Sequence, residues 1–270
     1  MKFSFIIVIV RPLYFIVWLF VVGLSSGLVC ARAYADVLVA AASSVRMPLE
    51  KLLTEFQRRH DEVIQVSFGS SGNLTHQILR GAPFDIFLSA DTEYPNKISQ
   101  SGLIKMTPQI YAQGSLDIYA GPGSRCQTDT GLLGLVEQLR SGSIQHIAIA
   151  NPELAPYGRA ARQSLGTLGL WEELSPALVI GNSASQAAQY AFSGAADCAL
   201  ISHSLSSTSQ LSRVGHSSPI KQDYYELVSH GMVLINESNV TAREFFRYLL
   251  SEEATQVFID AGFTRPLENQ

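Results

Sequence analysis

Metal and nucleotide chemistry have little to work with in this sequence. Only three cysteines are present, with no CxxC pair, and the six histidines show no HxxxH or HExxH spacing. The patterns that usually build a transition-metal cation site are therefore missing. There is no GxxxxGK[ST] phosphate loop and no GxSxG nucleophile elbow; Gly69-Ser70-Ser71-Gly72 has the wrong spacing for one. Charge is scarce as well, at 16% of residues, and 19 Lys and Arg against 23 Asp and Glu leave a net charge of −4. Nucleic acid demands a basic face, so it is excluded as a partner. No internal repeat, low-complexity tract or long linker interrupts the chain.

What is present begins with a leader. Lys2 and Arg11 precede an apolar run, Leu13 to Leu24, of the length of a signal h-region. That run is short for a membrane span, which needs about 20 apolar residues. Ala33-Tyr34-Ala35 has the small-x-small form of a signal-peptidase site, which predicts a cleaved signal peptide over residues 1–35 and a periplasmic mature chain. A lipoprotein anchored through Cys30 and an uncleaved anchor are the alternatives, and Val29 stands where the lipoprotein reading wants a small residue. Removing Lys2, Arg11 and Arg32 with no acid takes the net charge from −4 to −7. An anion bound here is thus not drawn in by bulk charge. Cys126 and Cys198 remain, open to a disulfide or to two separate buried thiols.

From Asp36 onward short β runs alternate with helical runs: "VLVAAA" then "VRMPLEKLLTEF", "VIQVSF" then "NLTHQILRG", "HIAIA" then "GRAARQSLGTLG". This alternation predicts an α/β fold with a mainly parallel sheet. Val45, Leu49, Leu52, Leu53 and Phe56 share one helical face, and Gly81, Gly102 and Gly194 fall where helix C-caps are expected.

Four strand-to-helix junctions share an uncharged turn rich in small or hydroxyl residues: Ala40 to Val45, Phe68 to Asn73, Asn151 to Ala161 and Ile180 to Gln186. A helix N-terminus leaves backbone N–H groups unpaired and carries about half a positive charge, so it binds anions without a cationic side chain. In an open α/β sheet such mouths lie where ligands bind. Each junction alone is an ordinary N-cap. A cap needs one hydroxyl, however, and Ser43-Ser44 and Ser70-Ser71 each supply two. Asp85 and Asp91 flank an apolar strand as turn or capping residues, although Asp91 could accept from a proton-bearing ligand; Tyr224-Tyr225 is expected in the core.

"VAAASS", "GSSGNLTHQILRGAPFDIFLSAD", "NPELAPYG" and "AGFTRP", in that order, resemble the periplasmic molybdate-binding proteins of ABC transporters, a branch of the type II substrate-binding proteins. The resemblance spans essentially the whole mature chain. It implies a two-lobed α/β periplasmic binding protein fold with the ligand cleft between lobes: lobe 1 from 36–115 and 203–270, lobe 2 inserted at 116–202. By position it implies that Ser43, Ser71 and the neighbouring Ser44 bind the oxyanion from lobe 1. From lobe 2 it implies Tyr157 and Ala184 through their backbone N–H, with a possible slip to Ser183 or Ser185. Many members carry a ligand-touching tyrosine where this chain has Ile201, and those without it commonly have one at the position of Tyr157. The resemblance further implies a monomeric receptor with no cofactor and no catalytic step, whose partners are molybdate or tungstate and an ABC permease. A receptor for sulfate or another tetrahedral oxyanion is the alternative, and a periplasmic serine hydrolase using Ser43 or Ser71 a more distant one, since neither serine has a base beside it in sequence.

Overall fold

The computed structural model describes residues 37–266. The expected signal peptide, its cleavage site after Ala35 and Cys30 lie outside the described residues.

Two five-stranded sheets form the framework. The first is fed by β1 (Val37–Ala42), helix α1 (Arg46–Gln57), β2 (Ile64–Gly69), α2 (Ser71–Leu79), β3 (Ile86–Leu88), α3 (Glu93–Gln100) and β4 (Gln109–Gly114). One residue, Ser115, then separates β4 from β5 (Leu116–Ala120), the first strand of the second sheet. That sheet continues with α4 (Leu133–Arg140), β6 (Ile147–Ala150), α5 (Pro156–Thr167), β7 (Leu178–Gly181), α6 (Ala184–Phe192), β8 (Cys198–Ser202) and β9 (His216–Pro219). The chain returns through β10 (Val228–Leu234), α7 (Val240–Leu249) and α8 (Glu252–Asp260) to the first lobe.

The strand orders are β2-β1-β3-β10-β4 and β7-β6-β8-β5-β9. They follow one plan. In each sheet four strands run one way and one, β10 or β5, runs against them, because its pairings with both neighbours are antiparallel. The reversed strand is in each case a crossover strand, so the two connections between lobes lie beside one another at 114–116 and 219–228. The lobe boundary expected at 202/203 would leave β9 with the first lobe. Instead β9 pairs with β5 along Asp117 to Ala120, and Ile220 and Tyr225 join the core of the second lobe. Nothing in a short polar run such as "HSSP" announces an edge strand, because its pairing is with a segment about a hundred residues earlier.

The cores follow the sequence pattern. Val45, Leu49, Leu52 and Phe56 are buried against the first sheet with Leu53 partly so, while Met47 and Glu50 on the other face are exposed. Gly81 and Gly194 follow the C-caps of α2 and α6 with φ of 90° and 77°, the left-handed backbone that glycine alone adopts without strain. Tyr225 is buried and its hydroxyl accepts the Leu116 N–H at 2.8 Å, tying the return crossover to the outgoing one. Cys126 and Cys198 are free, buried thiols lying against one another; the Cys126 contact and burial push the Cys198 thiol up.

Candidate functional site

The four junctions converge on one cavity between the lobes. Its walls are Ala42, Ser43 and Ser44 ahead of α1, Gly69, Ser70 and Ser71 ahead of α2, and Ala90 after β3. Ala155, Pro156 and Tyr157 at the start of α5 and Ala184 at the start of α6 complete it. All five residues singled out by position, Ser43, Ser44, Ser71, Tyr157 and Ala184, line it. Ser183 and Ser185 do not: Ser183 Oγ caps α6 by accepting from Gln186 N at 3.3 Å, and Ser185 turns to Ser43. Ile201 is also absent from the lining. Its side chain packs with Tyr119, Ala187 and Ala191 beneath α6, so the family comparison of this position with a ligand-touching tyrosine does not carry over to the cavity here.

The lining holds no Asp, Glu, Lys, Arg or His. The free space traced by the centre of a water-sized sphere is about 10 Å³. Pockets for drug-sized organic ligands are roughly 300–1,000 Å³, so this one excludes a ligand of that kind.

The serine hydroxyls are set as donors. Ser71 Oγ accepts the Ala90 N–H at 3.0 Å, and Ser43 Oγ accepts the Ser185 N–H at 3.3 Å. A hydroxyl whose oxygen already accepts has its proton left to give. Ser44 Oγ is buried and has no hydrogen-bond partner among the described residues. Leaving a buried hydroxyl unpaired costs about 1–3 kcal/mol, which a bound acceptor would recover. Tyr157 follows Pro156 in the first turn of α5, and Ala184 opens α6. Their N–H groups belong to the helix ends that lack intrahelical acceptors.

Cross-lobe contacts hold these walls together. Gly72 N donates to Leu154 O at 2.8 Å, Tyr94 Oη to Glu153 O at 3.2 Å, and Ser204 Oγ to Ser44 O at 2.9 Å. Arg159 of α5 pairs with Asp91 and stands over the Tyr94 ring, 5.3 Å from its centre. Asp91 therefore belongs to this contact and to the cap of α3, through Tyr94 N at 3.1 Å, and not to the cavity wall. Burial lifts its carboxyl above the ordinary value, with the Tyr94 N–H and Arg159 pulling it back. Asp85 bonds Leu38 N, Asn236 and Asn239, a purely structural brace.

Sequence reasoning missed one group beside the site. His230, fully buried in β10, lies with Nε2 3.1 Å from Tyr157 Oη and Nδ1 3.3 Å from Tyr111 Oη. Its only signal was a histidine in the apolar run "LVSHGMVLI". The Tyr157 hydroxyl is thus engaged by His230 of the first sheet. Among the described residues no group of three or more His, Cys, Asp or Glu is placed to hold a metal ion, and no helix is long and apolar enough to cross a membrane.

Two lobes of one plan, joined by paired crossovers around a small donor-lined cavity, define a two-lobed substrate-binding protein. The comparisons with known proteins agree. The bacterial extracellular solute-binding proteins match over residues 37–264, and the chain belongs to that family. It is 33% identical to the molybdate-binding protein ModA of Azotobacter vinelandii over 248 residues, covering 90% of this chain and 96% of that protein. A solved structure of the periplasmic molybdate-binding protein of Azotobacter vinelandii superposes with a TM-score of 0.77 at 29% identity, over 86% of this chain and all of the other. The sulfate-binding protein SubI of Mycobacterium tuberculosis shares the fold, with a TM-score of 0.70 at 10% identity over 85% of this chain and 86% of its own.

Proposed function

We propose that this chain is an exported receptor that binds molybdate, and tungstate with it, between its lobes and delivers the ion to an ABC permease, with no catalytic step. The observation that carries the reading is the cavity wall: serine hydroxyls poised to donate, one of them unpaired, beside helix N-termini and without a charged side chain. Molybdate and tungstate at neutral pH are unprotonated tetrahedral dianions, whose oxygens only accept. Ser43, Ser44 and Ser71 would donate through their hydroxyls, and Tyr157 and Ala184 through their N–H groups. Phosphate keeps a proton at neutral pH and wants a strong acceptor, and this wall offers no carboxylate; an unmatched buried proton is a strong ground for rejection.

Five charge-assisted hydrogen bonds at about 1.5–3 kcal/mol each supply roughly 8–15 kcal/mol. A micromolar-to-nanomolar site needs about 8–12 kcal/mol. The excess offsets dehydration of the dianion and closure of the lobes. Closure gives the permease a form to recognise, through the greater affinity of the ion for closed over open protein.

Sulfate is the second reading, since it too is fully deprotonated and the fold is shared with a sulfate-binding protein. Size must separate them. The test is thermal unfolding of residues 36–270 with molybdate, tungstate, sulfate or phosphate at equal concentration. A ligand at 100 times its dissociation constant stabilises by about 2.7 kcal/mol. Shifts with molybdate and tungstate alone support the proposal; a sulfate shift of equal size moves the function to a broader oxyanion receptor. No shift with any of the four refutes it.

A further inference from the structure

The Tyr157–His230 contact crosses from one lobe to the other. Tyr157 begins α5 in the second lobe, whereas His230 and Tyr111 sit on neighbouring strands of the first sheet. The phenol fills the space beside the outgoing crossover: a Cβ on Gly114, the last residue of β4, would lie 2.0 Å from Tyr157 Oη and 3.3 Å from His230 Nε2. Phe263 covers the imidazole edge-on, with ring centres 5.0 Å apart.

One proton assignment satisfies the group. Tyr111 Oη donates to Ser89 O at 3.3 Å, so it accepts from His230 Nδ1–H, also at 3.3 Å. Nε2 is then a lone pair, and Tyr157 Oη–H donates to it at 3.1 Å. The opposite tautomer would leave the Tyr157 proton without an acceptor in this buried pocket. Burial pushes His230 down to about 3 and both phenols up, which keeps all three groups neutral.

We infer that His230 is a positioning residue for the ion site, acting through the Tyr157 hydroxyl to hold the Tyr157 N–H, one of the second lobe's two donors, on the ion when the lobes close. This rests on the oxyanion reading of the cavity. The neutral imidazole supplies an acceptor to the side chain of the very residue whose backbone donates into the cavity. Opening the lobes parts Tyr157 from His230, so the bond counts toward the closed, ligand-holding form alone.

The test compares wild type, Tyr157→Phe, His230→Phe, His230→Gln and the double variant Tyr157→Phe/His230→Phe by molybdate titration and by ligand release. Tyr157→Phe removes one hydroxyl and no volume, so it remains informative even where a His230 variant folds poorly. Each phenylalanine single variant leaves the partner's buried polar atom unpaired and should weaken binding about 5- to 100-fold. The change should fall in the dissociation rate with association nearly unchanged. The double variant leaves neither partner unpaired and should bind no worse than the weaker single one, and His230→Gln, which restores an acceptor, should recover part of the affinity. Nitrogen-15 NMR of the histidine in the molybdate-bound protein should show Nδ1–H with an accepting Nε2. Single variants that bind and release molybdate as wild type does, additive losses in the double variant, or an Nε2–H tautomer would each overturn the inference. Failure of wild type itself to bind molybdate would instead refute the oxyanion reading, while the tautomer measurement, repeated without ligand, would still report on the Tyr157 contact.

Discussion

Adding a single methyl group at Gly72 tests whether the ion is held by closure of the lobes. Gly72 is the second residue of α2, in the first lobe, and its N–H donates to Leu154 O of the second lobe at 2.8 Å. A Cβ there would stand 2.7 Å from Tyr94 Oη, 2.8 Å from Leu154 O and 3.0 Å from Leu154 Cα. The Tyr94 hydroxyl is the far end of a side chain and can swing aside. The Leu154 backbone cannot, because its own N–H is tied to Asn151 O at 3.1 Å and Ala155 N to the same oxygen at 2.8 Å. Closed lobes must therefore part slightly. Overpacking of this kind costs about 1–3 kcal/mol, or about 5- to 150-fold in affinity. Opening the lobes removes the clash, and alanine in a helix is favoured over glycine by up to about 1 kcal/mol in open and closed forms alike. Gly72→Ala should thus weaken molybdate binding 5- to 150-fold in calorimetric titration, while the ligand-free protein unfolds at the wild-type temperature or above. A dissociation constant within twofold of wild type would refute the reasoning. So would a ligand-free protein destabilised as much as binding is weakened, since that would locate the damage in folding and not in closure.

Other perturbations separate the remaining contacts. Ser44→Ala removes a buried hydroxyl that has no partner among the described residues, so the ligand-free protein should lose no stability while molybdate affinity falls by about 1.5–3 kcal/mol; an unchanged titration curve would place Ser44 outside the ion's reach. Asp91→Asn leaves Arg159 without its main carboxylate partner across the cleft. Since the Arg159 side chain keeps 30% exposure, the expected cost to closure is about 1–2 kcal/mol rather than that of a fully buried pair, read as faster ligand release in stopped flow. His203 is raised above its ordinary value by its hydrogen bond to the buried Asp117 carboxylate, Nδ1 to Oδ2 at 2.9 Å, against the opposing effect of burial. A raised folded value means the contribution to stability is fully present below the unfolded value of about 6.5 and is lost as pH rises through the folded value. The gap in melting temperature between wild type and His203→Gln should accordingly be widest under acid conditions and narrow with rising pH; a gap that grew with pH would reverse the sign of the argument.

The cavity-lining residues Ser43, Ser44, Ser71, Tyr157 and Ala184 were legible in the sequence because each is local to a strand–turn–helix junction. Ser43-Ser44 and Ser70-Ser71 stand at helix starts whatever the rest of the chain does, and the absence of charge from all four junctions is a matter of composition. The alternation of β and helical runs carried the α/β class in the same way, since hydrophobic period and glycine at helix ends act within a dozen residues. Among the lining residues Ala90 was less visible, since it follows a strand and precedes no helix start of the kind the other junctions share.

Tertiary structure decided what depends on distant partners. The address of β9, the facing of Ile201 into the packing under α6, and the choice of Ala184 over its serine neighbours each follow from pairing or packing with segments far along the chain. The same holds for His230, which meets Tyr157 across 73 residues of sequence, and for Gly72, whose missing side chain makes room for Leu154. A sequence determines directly what its backbone must do within one turn of helix or one strand. Where two lobes touch is set by which surfaces fit once both have folded, and no periodicity records that. The lining residues were therefore written locally in this protein, and their convergence on one small cavity was settled only by the fold.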